Sequence, residues 1–446
     1  MLRSISAKGK IMTGCGSTAP LAGAAARNAN WRLFIRSSMG RTFCRNISVQ
    51  NKVLTGQNSG EMPRDKPTRP GELKKLCVLG IMSGTSIDGV DYALCLIDAH
   101  RVELNNHWQA KFPRPLQDRL HRAARGGLTS HETAQLHHDL GRFYAEEAAR
   151  GIGRQRLDLV GLHGQTIFHN PEAPSATYQL GEPAYLAEKL RVPVVSNFRA
   201  ADLAAGGQGA PLATLFHRIV FARRGAHVCV NNLGGISNVT SIDWRKGAEP
   251  VLLAFDTGPG NMLMDAAVRH FTQGRKSFDE DGAWARRGRV SEKLLTRWLR
   301  HSFFLKKPPK STGREQFGES FFEIALKGAR SLRRSKFDLV ATLTEFTARS
   351  LLLNCRLHLK SAPARVVLAG GGALNPVLVA WIRRRFELWE PRVQVQTCDR
   401  LGWPVQSVEP AAFALLAYYR LANLPANIPS TTGARGPVLL GQISEL

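Results

Sequence analysis

Two aspartates, Asp88 and Asp91, close a small-residue loop within the stretch Leu76 to Asp98, which reads LCVLGIMSGTSIDGVDYALCLID. Carboxylates so placed could hold a hydrated Mg²⁺, and Gly84 and Gly89 leave backbone N–H groups open enough to crowd around a phosphate. The loop has no lysine and no GxxxxGK[ST] spacing, so it is not a Walker P-loop; metal and backbone would have to neutralise any phosphate it meets. A plain tight hairpin with a Gly-Thr-Ser tip is the competing reading.

Asp256 ends the apolar run Leu252–Phe255 and opens Asp256-Thr257-Gly258-Pro259-Gly260-Asn261. A carboxylate at a strand end beside constrained backbone suits a positioned general base. Capping of the following helix, Met262 to Phe271 with Asp265 inside it, is equally compatible. His163-Gly164-Gln165-Thr166 is expected just past the strand Leu157–Leu162, where ligands gather in α/β sheets, so His163 could touch substrate. His163 and His169 are six apart and match no compact metal spacing. Arg199 could grip a carboxylate bidentately. The glycine-rich run Gly206 to Gly209 after it reads either as part of that site or as a flexible connection. Gly370-Gly371-Gly372, between the strand Val366–Ala369 and the helix Asn375–Phe386, would let a base or ribose approach backbone. Asp279-Glu280-Asp281 reads as a surface turn, and Lys306 to Glu315 as a basic loop able to meet a phosphate or sugar.

The elements that must position these residues alternate between strands and helices, an α/β chain. Cys77–Ile97 is strand, Gly/Ser tip, strand, and His227–Ile242 repeats that plan around Gly234-Gly235. Duplication of a hairpin that holds phosphates suggests two related domains closing on one nucleotide from opposite sides. Helical period marks Leu116–Ala124, His131–Ile152, Ser320–Leu332, Leu339–Leu359 and Glu409–Leu421.

At 446 residues the chain is long enough for two domains at about 100–200 residues each. No apolar run approaches the ~18 residues of a membrane span. Seven cysteines without a CxxC pair argue against a disulfide framework and a structural zinc site, and for a reducing compartment. The net charge of +26 divides into +11 for residues 1–75 and +15 for the rest. Dispersed basic clusters without an aromatic platform do not make a nucleic-acid groove, although they would attract anionic substrates. Residues 1–75, with no acidic residue before Glu61, read as a disordered leader. Their composition fits a mitochondrial transit peptide, and equally a start codon set too far upstream.

Together the motifs resemble the anhydro-N-acetylmuramic acid kinases of the sugar kinase, Hsp70 and actin superfamily. The matching stretches are Met82–Asp91 (MSGTSIDGVD), His163–Thr166 (HGQT), Phe198–Arg199, Gly206–Leu212 (GGQGAPL), Leu233–Asn238 (LGGISN), Asp256–Asp265 (DTGPGNMLMD), Asp281–Ala285, Pro309–Glu315 (PKSTGRE), Gly370–Asn375 (GGGALN), Thr432–Ala434 and Leu440–Ile443, in the family's order. The resemblance implies two duplicated actin-like (ribonuclease H-like) domains with an interdomain nucleotide cleft. Residues 76–198 plus 409–446 would form domain I and 199–408 domain II. It also implies ATP and Mg²⁺ as cofactors, a small-molecule amino sugar as partner, and a cytoplasmic setting, or a mitochondrial one if the leader is a transit peptide. A homodimer is left open. The implied reaction opens 1,6-anhydro-N-acetylmuramic acid with water and phosphorylates O6 in cell-wall recycling; a non-catalytic nucleotide-binding regulator of the same fold is the alternative. Asp256 would be the base. Gly84, Thr85, Ser86, Ile87, Asp88, Gly89, Val90 and Asp91 would bind ATP, with Asp88 and Asp91 reaching the metal. Gly234, Gly235, Gly371 and Gly372 would line the nucleotide, and His163, Arg199 and Glu409 the sugar or its lactyl carboxylate. Asn197 departs from the family's pattern, in which Asp precedes Phe-Arg, and suits a hydrogen-bonding role.

Overall fold

The structure, a computed structural model, describes residues 74–84, 87–172 and 174–446. The basic leader up to residue 73 lies outside them, as do Thr85 and Ser86 of the hairpin tip.

The first sheet is built on an antiparallel meander of β1 (Leu76–Ser83), β2 (Gly89–Ile97) and β3 (Val102–Lys111). Helices α1 (Arg114–Ala123) and α2 (Ser130–Ile152) follow, then β4 (Leu159–Asn170), β5 (Ala176–Leu180), α3 (Ala184–Leu190) and β6 (Val194–Ser196). Strand β4 lies parallel to β1, and β6 parallel to β4. β1 is apolar throughout because both of its faces are covered. Cys77, Leu79 and Ile81 enter one core with α1, α2 and α3, while Val78 and Met82 enter the other. Thr129 starts α2 through a reciprocal capping box with Glu132, which satisfies two otherwise orphaned N–H groups.

Helices α4 (Phe198–Ala204) and α5 (Thr214–Phe221) lead into the second sheet. There β7 (His227–Leu233), β8 (Ile236–Asp243) and β9 (Val251–Pro259) form a second antiparallel meander. Seven helices follow in order: α6 (Met262–Thr272), α7 (Ala283–Arg287), α8 (Glu292–Trp298), α9 (Arg314–Phe317), α10 (Glu319–Ser331), α11 (Lys336–His358) and, after β10 (Arg365–Ala369), α12 (Pro376–Trp389). β10 pairs parallel with β7, and β11 (Gln394–Thr397) parallel with β10. The sheet orders β3-β2-β1-β4-β6 and β9-β8-β7-β10-β11 are thus the same order with the same strand directions. The duplication expected from the two hairpins extends to five strands on each side.

The chain then returns to the first sheet. Helix α13 (Val408–Leu421) packs across β1, β2 and β4 inside the core that also takes residues of the second sheet. After α14 (Pro429–Thr432), β12 (Gln442–Ser444) adds antiparallel to β6. Two glycines make the seat of α13. Gly80 and Gly161 are register partners on β1 and β4; a β-carbon on the first would stand 1.7 Å from the Pro410 carbonyl oxygen, and on the second 2.3 Å from that of Phe413.

Strand β4 runs farther than its sequence suggests. His163-Gly164-Gln165-Thr166 lies inside it, not beyond its end, because β5 supplies a partner where β1 stops: Gln165 faces Ser83 on one side and Leu180 on the other. Among the described residues no helix is long and apolar enough to cross a membrane, and the five described cysteines are buried and unpaired.

Candidate active site

Asp256 stands in β9 opposite Asn238 of β8. Its other side is framed by residues 310–312. The Asp256 N–H donates to the Lys310 carbonyl at 3.0 Å, and the Thr312 N–H donates to Asp256 Oδ2 at 2.8 Å. Helix α6 has Asn261 at its N-cap, so Asp256 does not cap it. Asp256 is half-buried. Burial pushes its carboxyl up to about 7, with Glu315 adding to the rise while the Thr312 N–H and the Lys310 charge oppose it. A carboxylate poised there can accept a proton at neutral pH.

At the β1–β2 tip, Ile87 adopts φ 59°, a left-handed conformation that costs a β-branched residue about 1–3 kcal/mol and gathers at ligand sites. Three contacts hold it. Its N–H donates to the Gly84 carbonyl at 3.3 Å, Gln117 Nε2 donates to its carbonyl at 2.7 Å, and its side chain is buried. Gln165 Nε2 donates to the Gly84 carbonyl at 3.0 Å, while its Oε1 is buried without a partner among the described residues. Val90 packs in the core, leaving its backbone alone to face a ligand.

Asp88 is exposed; Asp91 is half-buried and accepts from Gln109 Nε2. Burial raises the Asp91 carboxyl to about 7, Gln109 opposes, and the charges of Glu409 and Asp88 add to the rise. Asp265, from the second sheet's helix α6, is likewise raised to about 7 by burial, with Arg269 opposing and Asp279 and Asp88 adding. One acidic zone therefore draws on both sheets, and Asp265 is a member that the sequence reading left without a role. Its cue was present: it is the last residue of the DTGPGNMLMD stretch. Asp279 corrects the expectation of a surface turn. It is buried, and its two carboxylate oxygens accept from the Trp284 and Ala285 N–H groups at 2.8 and 3.0 Å.

His163 and Arg199 form a unit. His163 Nδ1 donates to the Gly164 carbonyl at 2.7 Å, which leaves Nε2 to accept from Arg199 Nε at 3.1 Å and Nη2 at 2.9 Å. Burial, then the Arg199 charge, hold His163 well below the usual imidazole range, so it is neutral. Both of its ring nitrogens are thus engaged, and it orients the arginine. Arg199 Nη1 donates to the Gly209 carbonyl at 2.7 Å. Gly206 to Gly209 is no loose connection. Asp202, fully buried, accepts from the Gly209 N–H at 2.8 Å, from Asn427 Nδ2 at 2.8 Å and from Thr432 Oγ1 at 2.7 Å. Ser311 Oγ donates to Gln208 Oε1, which ties this loop to the segment beside Asp256.

Glu409, in the first turn of α13, accepts from Asn232 Nδ2 at 3.1 Å. Burial raises its carboxyl, with Arg199 and then Asn232 opposing. Asn232 was not singled out in the sequence, although two asparagines ending the buried strand HVCVNNL are a signal, since buried amides need partners. Its Oδ1 is buried without one. A β-carbon on Gly370 would stand 2.2 Å from that oxygen, and Gly372 packs on Leu233. The Gly234 and Gly235 carbonyls accept from the Asn261 and Gly260 N–H groups, both at 2.9 Å, and exposed Gly371 lies beside Asn261. Gly234, Gly235, Gly371 and Gly372 are therefore brought together. Asn197, at φ 55°, instead donates Nδ2 to Gln442 at 3.3 Å beside β12.

These groups suit a nucleotide with a hydrated cation. Among the described residues no three His, Cys, Asp or Glu converge into a preformed metal cage. Mg²⁺ in phosphoryl-transfer sites takes one or two carboxylates plus waters and phosphates, the number that exposed Asp88 and half-buried Asp91 could supply.

Residues 76–445 match the family profile described as Anhydro-N-acetylmuramic acid kinase. A protein of that name from Picosynechococcus sp. is 40% identical over 382 residues, 82% of this chain and 98% of that one. Its counterpart in Acaryochloris marina is 39% identical, covering 82% and 99%, and that of Caldanaerobacter subterraneus subsp. tengcongensis 37%, covering 82% and 96%. The chain belongs to the anhydro-N-acetylmuramic acid kinase family.

Proposed function

We propose that the protein is an ATP-dependent kinase that opens the 1,6-anhydro bond of 1,6-anhydro-N-acetylmuramic acid with water and phosphorylates O6. The products are N-acetylmuramic acid 6-phosphate and ADP. The observation that carries this reading onto particular atoms is Asp256, half-buried, framed by Lys310 and Thr312, with its carboxyl near 7.

Asp256 takes a proton from water as the water oxygen bonds to the anomeric carbon. The bond from that carbon to O6 breaks, and its electron pair stays on O6. O6 then bonds to the γ-phosphorus as the bond to the ADP leaving oxygen breaks, so O6 needs no separate deprotonation. Bound Mg²⁺ would neutralise the phosphate charge that no Walker lysine meets here, with Asp88 and Asp91 as its holders and Asp265 close enough to feel the Asp88 charge. The Gly84–Asp91 tip would cradle the phosphates. Gly234, Gly235, Gly371 and Gly372 would receive the nucleoside side.

Arg199, fixed by neutral His163 and by Gly209, would grip the lactyl carboxylate, and Glu409 would lie at the sugar's edge. Residues 76–198 with 409–446 would form one lobe and 199–408 the other, closing on the nucleotide between them. A cytoplasmic setting follows from a substrate released in cell-wall recycling.

The test is to incubate the full chain with ATP, Mg²⁺ and the anhydro sugar and to follow ADP and the phosphorylated sugar by mass. Release of ADP that requires the sugar, with one phosphate gained per ADP, is expected. ADP formation indifferent to the sugar, or none, would overturn the assignment.

A further inference from the structure

We propose that Lys310 is a positioning residue for Asp256: its backbone carbonyl holds the Asp256 N–H, and its buried ammonium, through Asn354, holds the Thr257 carbonyl and places a positive charge in the ring that carries the base. This rests on the reading of Asp256 as the base and extends it to a residue outside the reacting atoms.

Lys310 is 5% exposed, unusual for a lysine. Nζ donates to Asn354 Oδ1 at 2.6 Å and to the Phe303 carbonyl at 3.4 Å, and it lies 4.6 Å from the centre of the Phe303 ring. Asn354, on α11, in turn donates Nδ2 to the Thr257 carbonyl at 3.0 Å and to the Ser350 carbonyl at 2.8 Å. Since the Asp256 N–H donates to the Lys310 carbonyl, a closed ring results: Asp256 backbone, Lys310 backbone, Lys310 ammonium, Asn354 amide, Thr257 backbone. The next residues close the ring toward the carboxylate, because the Thr312 N–H donates to Asp256 Oδ2.

The hydrogen-bond partners of this ammonium are neutral. A buried charge without an adjacent counterion is costly, and an opposite charge in the same pocket offsets that cost. Burial lowers the Lys310 ammonium to about 8 and raises the Asp256 carboxyl to about 7, and each charge opposes the shift of the other: the Asp256 charge favours the protonated lysine and the Lys310 charge the ionised aspartate. The other charged groups acting there are Glu315, which works against ionisation of Asp256, and Lys306, which works against protonation of Lys310. His358, held down to about 4 by burial and then by the Lys310 charge, stays neutral. Among these groups Lys310 is the cation that favours an ionised base.

The experiment is the pH dependence of kcat/KM for the anhydro sugar, which reports the free enzyme's essential groups. It compares wild type, Lys310→Met, Lys310→Arg and Asn354→Asp, with folding checked by circular dichroism. Lys310→Met should move the acid limb upward by about one pH unit, the low end of the effect of an opposite charge on a carboxylate. Lys310→Arg should restore much of the wild-type limb. Asn354→Asp, which places a competing carboxylate on the ammonium, should also move it upward. A folded Lys310→Met with the wild-type acid limb would overturn the proposal. If that variant does not fold, an unmoved limb in Asn354→Asp overturns it. Wild-type protein without sugar-dependent turnover would overturn the reading of Asp256 itself, a result distinct from any difference among variants.

Discussion

Gly80 of β1 and Pro410 of α13 approach so closely that a β-carbon on the glycine would stand 1.7 Å from the proline's carbonyl oxygen. The helix therefore rests on bare backbone. Its neighbouring residue, Glu409, reaches Asn232 at the end of β7, and the seat of one helix on the first sheet sets where a carboxylate meets the second.

Replacing Gly80 by alanine should destabilise the protein, because the obstructing atom is backbone and cannot rotate away. Overpacking of about 1–3 kcal/mol corresponds, for a folded region of this size, to a melting temperature lower by on the order of 1–4 °C. Gly436→Ala, where a β-carbon would meet nothing within 4 Å, serves as the control and should melt like wild type. Differential scanning calorimetry of the two variants checks this; equal melting temperatures would remove the glycine seat from the account.

Glu409 joins the two halves through its hydrogen bond with Asn232, and its charge faces Arg199. A hydrogen bond to a charged group contributes about 1.5–3 kcal/mol, or about 10- to 150-fold in a rate constant. Glu409→Ala should lower kcat/KM for the sugar by that order. Glu409→Gln, which keeps an oxygen to accept from Asn232, should lose less. Steady-state kinetics with wild-type values for the alanine variant would contradict the role.

His217 offers a test of buried neutral imidazole away from the candidate site. It is 2% exposed, its Nδ1 lies 2.9 Å from Thr240 Oγ1, and burial pushes it down to about 3. The folded value lies below the unfolded value of about 6.5, so the unfolded chain binds the extra proton. The stability His217 confers is present above pH ~6.5 and is lost as pH falls toward 3, by at most about 1.4 kcal/mol per pH unit. Raised carboxylates such as Asp265 act with the opposite sign between about 4 and 7, so the difference between variant and wild type is the quantity to follow. The melting temperature of His217→Gln minus that of wild type should become more positive as pH drops from 6.5 to 4. A difference independent of pH would refute the neutral imidazole.

Much of the fold was readable because its signals are local. The two hairpins with Gly/Ser tips, the apolar run before Asp256 and the triple glycine are each continuous stretches of chain, and the structure returns them as parts of two matching sheets. What sequence could not supply depends on distant partners. HGQT stays in a strand because β5 pairs with it, and the Gly206–Gly209 loop is fixed by Asp202 with Asn427 and Thr432, more than 200 residues away. Ile87 takes a conformation that a β-branched residue avoids when left to itself, held there by contacts from Gln117 and the core. Lys310 read as one more cation in a basic loop; only its inward path to Asn354 separates it from Lys306 and Lys307.

The central claim is that Asp256 activates water in a sugar-dependent kinase, and the most direct measurement compares kcat for ADP release by wild type and Asp256→Asn at saturating ATP, Mg²⁺ and anhydro sugar. Asparagine keeps the size of the side chain and an oxygen to accept from Thr312, but it cannot take a proton. Loss of a general base lowers turnover by about 10²–10⁴-fold, and the variant should fall by that order while circular dichroism shows it folded. A folded Asp256→Asn that turns over the sugar at the wild-type rate would contradict the account.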